Sequence, residues 1–232
     1  EHMVLHGTKE DRTKSHCRAQ DEVNIVFREQ GIPEIGYGVA KNFGFAYKFG
    51  GQAKKMGFMS GEKNEKRAIE VGKLVMSAFN LVFQAQVKLA EYMLEEWKKT
   101  ARMKEVKYRW KGQEKTKTQL YNGKIRGLDG RMVLIRNQKD VLVYGVQSDE
   151  ALTHQLSVVL QNRRLREKYI EGVDFKQVCA YHDESTVECK PEIAEDVMEI
   201  MKKAINDAGK HFNLAIEQTG DGCIGLNWSL IH

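Results

Sequence analysis

Apolar residues recur at intervals of three and four along four stretches of the chain, which is the spacing of an amphipathic helix. The stretches run from about Val39 to Phe49, Glu65 to Thr100, Val141 to Lys168 and Glu192 to Ala208. Gly50 and Gly51 follow the first stretch, while Pro191 precedes the last and Gly209 follows it. Glycine and proline at these positions are typical of helix ends, so we predict four helical regions.

Between positions 106 and 136 apolar and polar residues alternate, which predicts β-strands. Gly127-Leu128-Asp129-Gly130-Arg131 has the composition of a turn between two of them. Strand-like runs on both sides of His182-Asp183-Glu184 predict a hairpin, and we expect a last strand near 212–218. Residues 1–35 are polar and weakly patterned, so we expect them to be irregular. Together these patterns indicate an α+β fold, with the helices gathered on one side of a small antiparallel sheet.

Composition adds few restrictions. The chain has 232 residues, enough for one domain or two small ones, and its 41% apolar and 30% charged residues are ordinary for a globular protein. A net charge of +5 is compatible with a polyanionic partner without requiring one. Four cysteines without a CxxC pair favour reduced thiols and a cytoplasmic location. No apolar run is long enough to span a bilayer, so we expect no membrane partner.

The clearest chemistry lies in the neighbouring carboxylates Asp183 and Glu184 at the predicted hairpin turn. Adjacent acids repel each other, and a hard cation relieves that repulsion. Enzymes of phosphoryl transfer hold Mg²⁺ in this way, with few protein carboxylates and with substrate phosphates completing the coordination. Clustered acids are also typical of metal-dependent nucleases, but we find no other acid constellation in the sequence to support that interpretation.

Lys41, Phe45 and Phe49 lie four residues apart, so a helix places all three on one face. Aromatic residues at this spacing belong more often to a core than to a binding surface. The spacing alone therefore favours burial of the two phenylalanines by about two to one.

Taken in order, four segments resemble the polymerase domain of family A DNA polymerases, with the bacteriophage branch the nearest likeness. Lys41 to Gly50 resembles the fingers motif, and the turn 127–131 resembles the one that precedes the template–primer helix. His182-Asp183-Glu184 resembles the palm motif with a catalytic aspartate. Gly225-Leu226-Asn227-Trp228 through His232 resembles the chain end of the phage enzymes. The resemblance covers residues 40–232, and the order of the segments makes it specific.

The resemblance implies roles in nucleotide binding and catalysis. Lys41 would neutralise the triphosphate, Phe45 would meet its sugar and base, and Phe49 would stack near the templating base pair. Asp183 would bind Mg²⁺ in a two-metal site, with Glu184 as a supporting acid. Glu1-His2-Met3 resembles an upstream motif whose histidine contacts a phosphate, so His2 joins the nucleotide-binding set.

The same resemblance assigns primer–template binding to four residues: Arg136, Gln147, His182 and His232. A glutamine donor suits this task, because purine N3 and pyrimidine O2 acceptors recur in the minor groove of all four base pairs.

The chain also departs from the family pattern. The first catalytic aspartate, in a palm strand ahead of the fingers, has no counterpart before Lys41. Tyr37 stands where an arginine is usual, and Val143 stands where a primer-binding asparagine is usual. We therefore hypothesise that this is the C-terminal part of a divided polymerase, inactive alone, whose other polypeptide supplies the first aspartate, the thumb and the rest of the palm. Alternatively, these missing elements belong to another part of the same, longer polypeptide.

This hypothesis divides the chain into a polar segment at 1–38, the fingers helices at 39–105 and a palm portion at 106–232. Its partners would be primer–template DNA, deoxynucleoside triphosphates and the N-terminal polymerase polypeptide, in the cytoplasm of a host cell. The alternative function is a non-catalytic, polymerase-like DNA-binding protein. The losses at Tyr37 and Val143 favour that alternative, whereas a retained carboxylate beside a phosphodiester argues against it.

Overall fold

The computed structural model describes residues 8–231, apart from the side chain of Trp110. Its α-helices are α1 (Ser15–Glu29), α2 (Tyr37–Lys48), α3 (Ala53–Met59), α4 (Glu65–Val82), α5 (Gln84–Thr100), α6 (Val141–Lys168), α7 (Ala194–His211) and α8 (Trp228–Ile231). Its strands are β1 (Arg102–Trp110), β2 (Gln113–Tyr121), β3 (Gly123–Arg126), β4 (Met132–Ile135), β5 (Phe175–Tyr181) and β6 (Glu184–Cys189). Short 3₁₀ turns at Gln138–Asp140 and Pro191–Ile193 precede α6 and α7.

The strands form three separate two-stranded antiparallel sheets, β1–β2, β3–β4 and β5–β6. This confirms the α+β class. The expectation of one small sheet with helices on one side of it was wrong, because each hairpin pairs only with itself within the described residues.

Helix α1 lies in the segment that we expected to be irregular. It buries Ala19, Val23 and Phe27, which follow one another at intervals of four and pack into the core with α2 and α4. A single apolar row among many charged residues gives a weak pattern in the sequence, and burial against neighbouring helices stabilises the helix nonetheless.

The stretch from 65 to 100 is two helices rather than one. Helices α4 and α5 meet at Phe83 with a bend of 96°. Phe83 leaves helical geometry and packs its ring against Phe79 at 5.6 Å and Tyr47 at 6.4 Å between ring centroids. No described helix alone is long and apolar enough to cross a membrane; α4 and α5 meet that test only when they are taken together across the bend.

The chain end also differs from expectation, since residues 212–218 form no strand. Helix α7 continues past Gly209, the expected helix end, to His211. Gly209 instead allows Gln218 to pack closely against the helix. A Cβ at Gly209 would lie 2.5 Å from Cγ of Gln218. The irregular segment after α7 therefore folds back onto the helix.

The chain divides into two compact units. Unit 1 contains the residues up to Ile125 together with Val133–Gly145, and unit 2 contains Arg126–Met132 and the residues from Val146 onward. In unit 1 the main core joins α1, α2 and α4, and a second cluster surrounds Trp97, whose Nε1 donates to the carbonyl of Ile135 at 2.8 Å. In unit 2 the core joins α6, β5 and α7 through buried side chains: Leu165, Phe175, Val197 and Ile200.

Helices α3 and α4 touch backbone to backbone at two glycines. A Cβ at Gly57 would lie 1.8 Å from the carbonyl oxygen of Ala68, and one at Gly72 would lie 1.7 Å from that of Ala53. No side chain fits at either distance, so both positions admit glycine alone.

We predict that Gly57→Ala and Gly72→Ala each lower the free energy of unfolding by about 3 kcal/mol or more, because the added methyl forces the helices apart and disturbs the packed core. Thermal or urea unfolding measures the effect. Gly38→Ala is the matched control: it lies in α2 with nothing near its Cβ position, so stability is expected to hold or rise by up to about 1 kcal/mol. Equal effects of all three changes would contradict the packing argument.

Candidate functional site

The β5–β6 hairpin carries the predicted acidic residues at its tip. Tyr181 pairs with Glu184, which leaves a two-residue turn of His182 and Asp183. His182 has φ 53°, in the left-handed region, where histidine occurs more often than most residues with a side chain. The side chains of Asp183 and Glu184 are exposed. The hairpin therefore presents two neighbouring carboxylates to solvent, as the sequence predicts.

A β-bulge bends strand β5 just before this tip. Gln177 pairs with Val187 and Cys179 pairs with Thr186, so Val178 is an extra residue without a partner in the ladder. The carbonyl of Cys179 instead accepts a hydrogen bond from the Gln177 side chain at 2.6 Å. Bulges of this kind bend a strand and redirect the side chains beyond them.

Side-chain amides, including that of the buried Gln161, hold the hairpin on α6. Gln161 is only 1% exposed, and its Nε2 donates to Gln177 Oε1 and to Ser185 Oγ, both at 2.7 Å. Gln177 Nε2 in turn lies 3.0 Å from Ser185 Oγ, and Asn162 Nδ2 also donates to Gln177 Oε1 at 3.2 Å. Ser185 follows Glu184 directly, so this network fixes the strand that emerges from the acidic turn.

A cleft of about 1250 Å³ in unit 2 is lined by Asp183 and Glu184. Helix α6 contributes Asp149 and His154 to its wall, and the segment after α7 contributes 218–226. His154 Nε2 is buried and has no hydrogen-bond partner among residues 8–231. The two acids at the hairpin tip therefore lie at a concave surface large enough for a substrate.

Asp149 connects α6 to the turn 127–131 that the sequence singles out. Its Oδ1 accepts a hydrogen bond from the backbone N–H of Leu128 at 3.1 Å. Burial raises the pKa of Asp149, the Leu128 hydrogen bond opposes that rise, and the nearby charge of Asp129 adds to it. The cleft thus contains a half-buried carboxyl that folding holds in a more protonated state.

Helix α2 in unit 1 presents the second predicted set. Ala40, Phe43 and Ala46 form its buried row, while Phe45 and Phe49 are 45% and 59% exposed. Lys41 is exposed as well, with its Nζ 6.0 Å from the centroid of the Phe45 ring. The spacing alone favoured burial of the two phenylalanines, and the structure instead leaves them on the surface beside a lysine.

His16 on α1 borders this face, and no pattern in the sequence points to it because α1 has only one apolar row. Its ring lies 6.1 Å from that of Phe45 and 6.3 Å from that of Tyr37. Its Nδ1 is buried and has no hydrogen-bond partner among the described residues. Burial lowers the pKa of His16, and Lys48, Lys41 and Lys14 lower it further. The surface around Phe45 is therefore cationic even though this histidine tends to be neutral.

The remaining predicted residues are more dispersed. Arg136 is exposed after β4 in unit 1, and Gln147 is exposed on α6 in unit 2, where it is not among the residues lining the cleft. His182 is exposed beside Tyr181, with 4.0 Å between the ring centroids. His2 and His232 lie outside the described residues.

The part of the chain that the structure describes holds no group of three or more histidine, cysteine, aspartate or glutamate side chains able to surround a metal ion. Asp183 makes no hydrogen bond or ion pair with any residue in 8–231, so its oxygens face solvent. One or two carboxylates are the usual protein contribution to a Mg²⁺ that also binds substrate phosphates. The acidic turn fits such a contribution and does not form an all-protein cage.

Comparison with known proteins identifies related sequences. The DNA-directed DNA polymerases of Enterobacteria phage T3 and Escherichia phage T7 are each 28% identical over 199 residues, 83% of this chain and 26% of theirs. DNA polymerase I of Aquifex aeolicus (strain VF5) is 33% identical over 109 residues, 46% of this chain and 18% of that protein. These homologues are family A DNA polymerases.

The chain spans about a quarter of the length of the phage polymerases that it matches. No family model matches the chain. The comparison confirms the resemblance drawn from the four ordered segments, whereas the roles of individual residues remain predictions.

We predict that Gln161→Leu lowers the free energy of unfolding by about 2–3 kcal/mol, because the two hydrogen bonds that the buried Gln161 amide donates to the hairpin are lost. Chemical unfolding of both proteins measures the difference. Gln155→Leu, at an exposed position of the same helix, is the control and should stay within about 0.5 kcal/mol of the parent. A similar small loss for both variants would show that the network does not hold the hairpin.

Asp149→Asn is expected to be more stable than the parent, by an amount that grows as the pH increases. The folded pKa of Asp149 lies above its ordinary value of 3.8, so its stabilising contribution is present below that value and is lost as the pH rises through the folded pKa. Asparagine keeps the oxygen that accepts from Leu128 and removes the charge. The difference in melting temperature between variant and parent should be near zero at about pH 3 and should grow as the pH rises above the ordinary pKa of 3.8. Glu150→Gln, at the exposed neighbouring position, is the control, and a pH-independent difference for Asp149→Asn would contradict the assignment.

Proposed function

We propose that this chain is the C-terminal part of a template-directed DNA polymerase, which adds deoxynucleotides to a primer 3′ end. The observation that carries the proposal is the exposed Asp183–Glu184 turn at a large cleft, in a chain homologous to DNA polymerases. The homology supports the reaction class. The exposed side chain of Asp183 supports a role in chemistry, because an acid that makes no side-chain hydrogen bond or ion pair within residues 8–231 contributes little to folding.

In this proposal Asp183 is a ligand of Mg²⁺, and the adjacent Glu184, the first residue of β6, is the supporting acid. When bound, Mg²⁺ supplies charge neutralisation and activation of the primer hydroxyl in phosphoryl transfer. The two carboxylate oxygens of Asp183 have no hydrogen-bond partner among residues 8–231, and the bulge at Val178 together with the Gln161 network sets the direction of the turn. A second aspartate is required for two metals, and it would come from a polypeptide outside this sequence.

Helix α2 would bind the incoming nucleotide. Lys41 provides a positive charge for the triphosphate, and the surrounding Lys14 and Lys48 keep the local potential positive. Phe45 and Phe49 offer exposed rings to the sugar, the base and the templating pair. His2 would add a phosphate contact.

Primer–template binding would involve Arg136, Gln147, His182 and His232. Gln147 is exposed on α6 and can donate to minor-groove acceptors that all base pairs share. The exposed guanidinium of Arg136 suits a backbone phosphate. Such contacts hold DNA without reading its sequence, as a copying enzyme requires.

The first aspartate, the thumb and the remaining palm would be supplied by another polypeptide, or by a further portion of the same one. The matched regions of the phage polymerases make up only 26% of those proteins, which is consistent with additional elements elsewhere.

A non-catalytic, polymerase-like DNA-binding protein is the second candidate function. Tyr37 favours it, since the fingers motif usually has an arginine at this position and Tyr37 instead packs edge-on against His16. However, Lys9 lies 5.1 Å above the Tyr37 ring, so a cation is still present at this end of α2. A mere DNA binder also gains nothing from two carboxylates presented beside phosphates.

The purified chain alone should not extend a primer with Mg²⁺, and extension should appear on mixing with the polypeptide that carries the missing aspartate. In that mixture Asp183→Asn should lower the extension rate by about 1000-fold, since a lost metal ligand costs several kcal/mol of transition-state stabilisation. Primer–template affinity should be unchanged or higher, because a negative charge near phosphates is removed. Gel-resolved primer extension and fluorescence anisotropy measure the two quantities.

Glu188→Gln is the matched control, since it removes one charge from the same exposed hairpin and should keep extension within about twofold. Unchanged extension by Asp183→Asn would overturn the polymerase assignment of this residue. A mixture that binds primer–template without extending it would favour the non-catalytic function.

A further inference from the structure

The β1–β2 hairpin of unit 1 has two faces of different chemistry. The strands pair in unbroken register from Arg102 with Tyr121 to Trp110 with Gln113. Lys111 and Gly112 form the turn with φ of 48° and 79°. Residues along both faces of the outer part of the hairpin are exposed, so either face is able to meet a partner.

The register assigns each side chain to a face, because directly paired residues of an antiparallel ladder point to the same side. The basic face carries Arg102, Lys104, Val106 and Tyr108 of β1 with Lys115, Lys117, Gln119 and Tyr121 of β2. The mixed face carries Met103, Glu105, Lys107 and Arg109 of β1 with Glu114, Thr116, Thr118 and Leu120 of β2. The basic face therefore has four cations and no carboxylate, whereas the mixed face has two cations and two carboxylates.

Cations and aromatic rings alternate across the basic face. Lys104 Nζ lies 4.9 Å from the centroid of the Tyr121 ring, and Lys117 Nζ lies 5.7 Å from that of Tyr108. These contacts confirm that the four side chains share one side of the hairpin. Tyr108 is 40% exposed, so part of its ring surface is open to a partner.

None of the four cations of the basic face pairs with a carboxylate within residues 8–231. The preceding helix α5 is different, since Lys98 pairs with Glu95 at 2.7 Å and Lys99 pairs with Glu96. A concentration of like charge without internal neutralisation repels itself and attracts a polyanion.

We propose that the basic face of the β1–β2 hairpin binds single-stranded nucleic acid, with phosphates on its cations and unpaired bases stacked on Tyr108 and Tyr121. Positive side chains interleaved with aromatic rings are the combination that binds single strands without sequence preference. Stacking favours a single strand over a duplex, because the base faces of a duplex are already covered. It also favours nucleic acid over an acidic peptide, whose carboxylates would use the lysines and leave the rings without a partner. This site goes beyond the proposed function, since it involves neither Asp183 nor nucleotide addition.

The test is binding of the full chain to a fluorescein-labelled oligo-dT of about 15 nucleotides. Anisotropy is measured with EDTA and without nucleotide, so a loss of polymerase chemistry does not affect the result. Lys104→Ala/Lys117→Ala changes the basic face, and Lys107→Ala/Arg109→Ala removes the same charge from the mixed face of the same hairpin.

We expect Lys104→Ala/Lys117→Ala to weaken binding about 20-fold in ~0.1 M salt. This double variant should also reduce the slope of log affinity against log salt concentration by about 1.4, because each lost phosphate contact contributes about 0.7 to the slope. The mixed-face pair should weaken binding less than about threefold. Equal losses in the two pairs would show general attraction to the hairpin and would overturn the proposal.

A second measurement tests stacking. Tyr108→Ala should weaken binding of oligo-dT by about fivefold or more and leave an abasic oligonucleotide of the same length unaffected, because only the former has bases to stack. Met103→Ala, an exposed apolar residue of the mixed face, is the control. Equal effects on both oligonucleotides, tighter binding of a matched duplex, or tighter binding of polyglutamate than of oligo-dT would each overturn the proposal.

Discussion

The acidic turn depends on the buried hydrogen bonds between Gln161 of α6 and the two strands of the hairpin. Gln161 is almost completely buried, and it donates hydrogen bonds to the hairpin side chains Gln177 and Ser185. A buried amide without partners costs about 1–3 kcal/mol, so the hairpin has one favourable placement on the helix and poor alternatives. Apolar packing of Phe175 and Val197 stabilises the same unit but discriminates less between registers. The hydrogen bonds of Gln161 therefore determine where the hairpin places Asp183.

In unit 1, close packing of helices positions the candidate nucleotide-binding surface. Gly57 and Gly72 let α3 and α4 approach until their backbones touch, and the core of α1, α2 and α4 forms beside this contact. Helix α2 then buries its row of Ala40, Phe43 and Ala46 and leaves the row of Lys41 and Phe45 outside. The surface proposed to bind nucleotide is thus the exposed face of α2, opposite the face that packs into the core.

Much of the fold is predictable from local pattern, and the misses have physical causes. The helices at Tyr37–Lys48 and Val141–Lys168, the strands after position 100 and the hairpin around Asp183 all follow from periodicity and turn residues. No glycine or proline marks the bend at Phe83, which coincides with packing of its ring against Phe79. The burial of Phe43 instead of Phe45 depends on which face meets α4, and spacing alone does not decide that. His16 was missed because its helix shows only one apolar row.

The bulge at Val178 makes strand β5 one residue longer than its pairing with β6 requires. The pairs Gln177–Val187 and Cys179–Thr186 flank it with consecutive partners on β6, so the ladder would close equally well without the extra residue. Val178 therefore adds a residue to the strand without adding a pair to the ladder. Its contribution is curvature, so the direction in which β5 carries the acidic tip depends on a residue that forms no rung of the sheet.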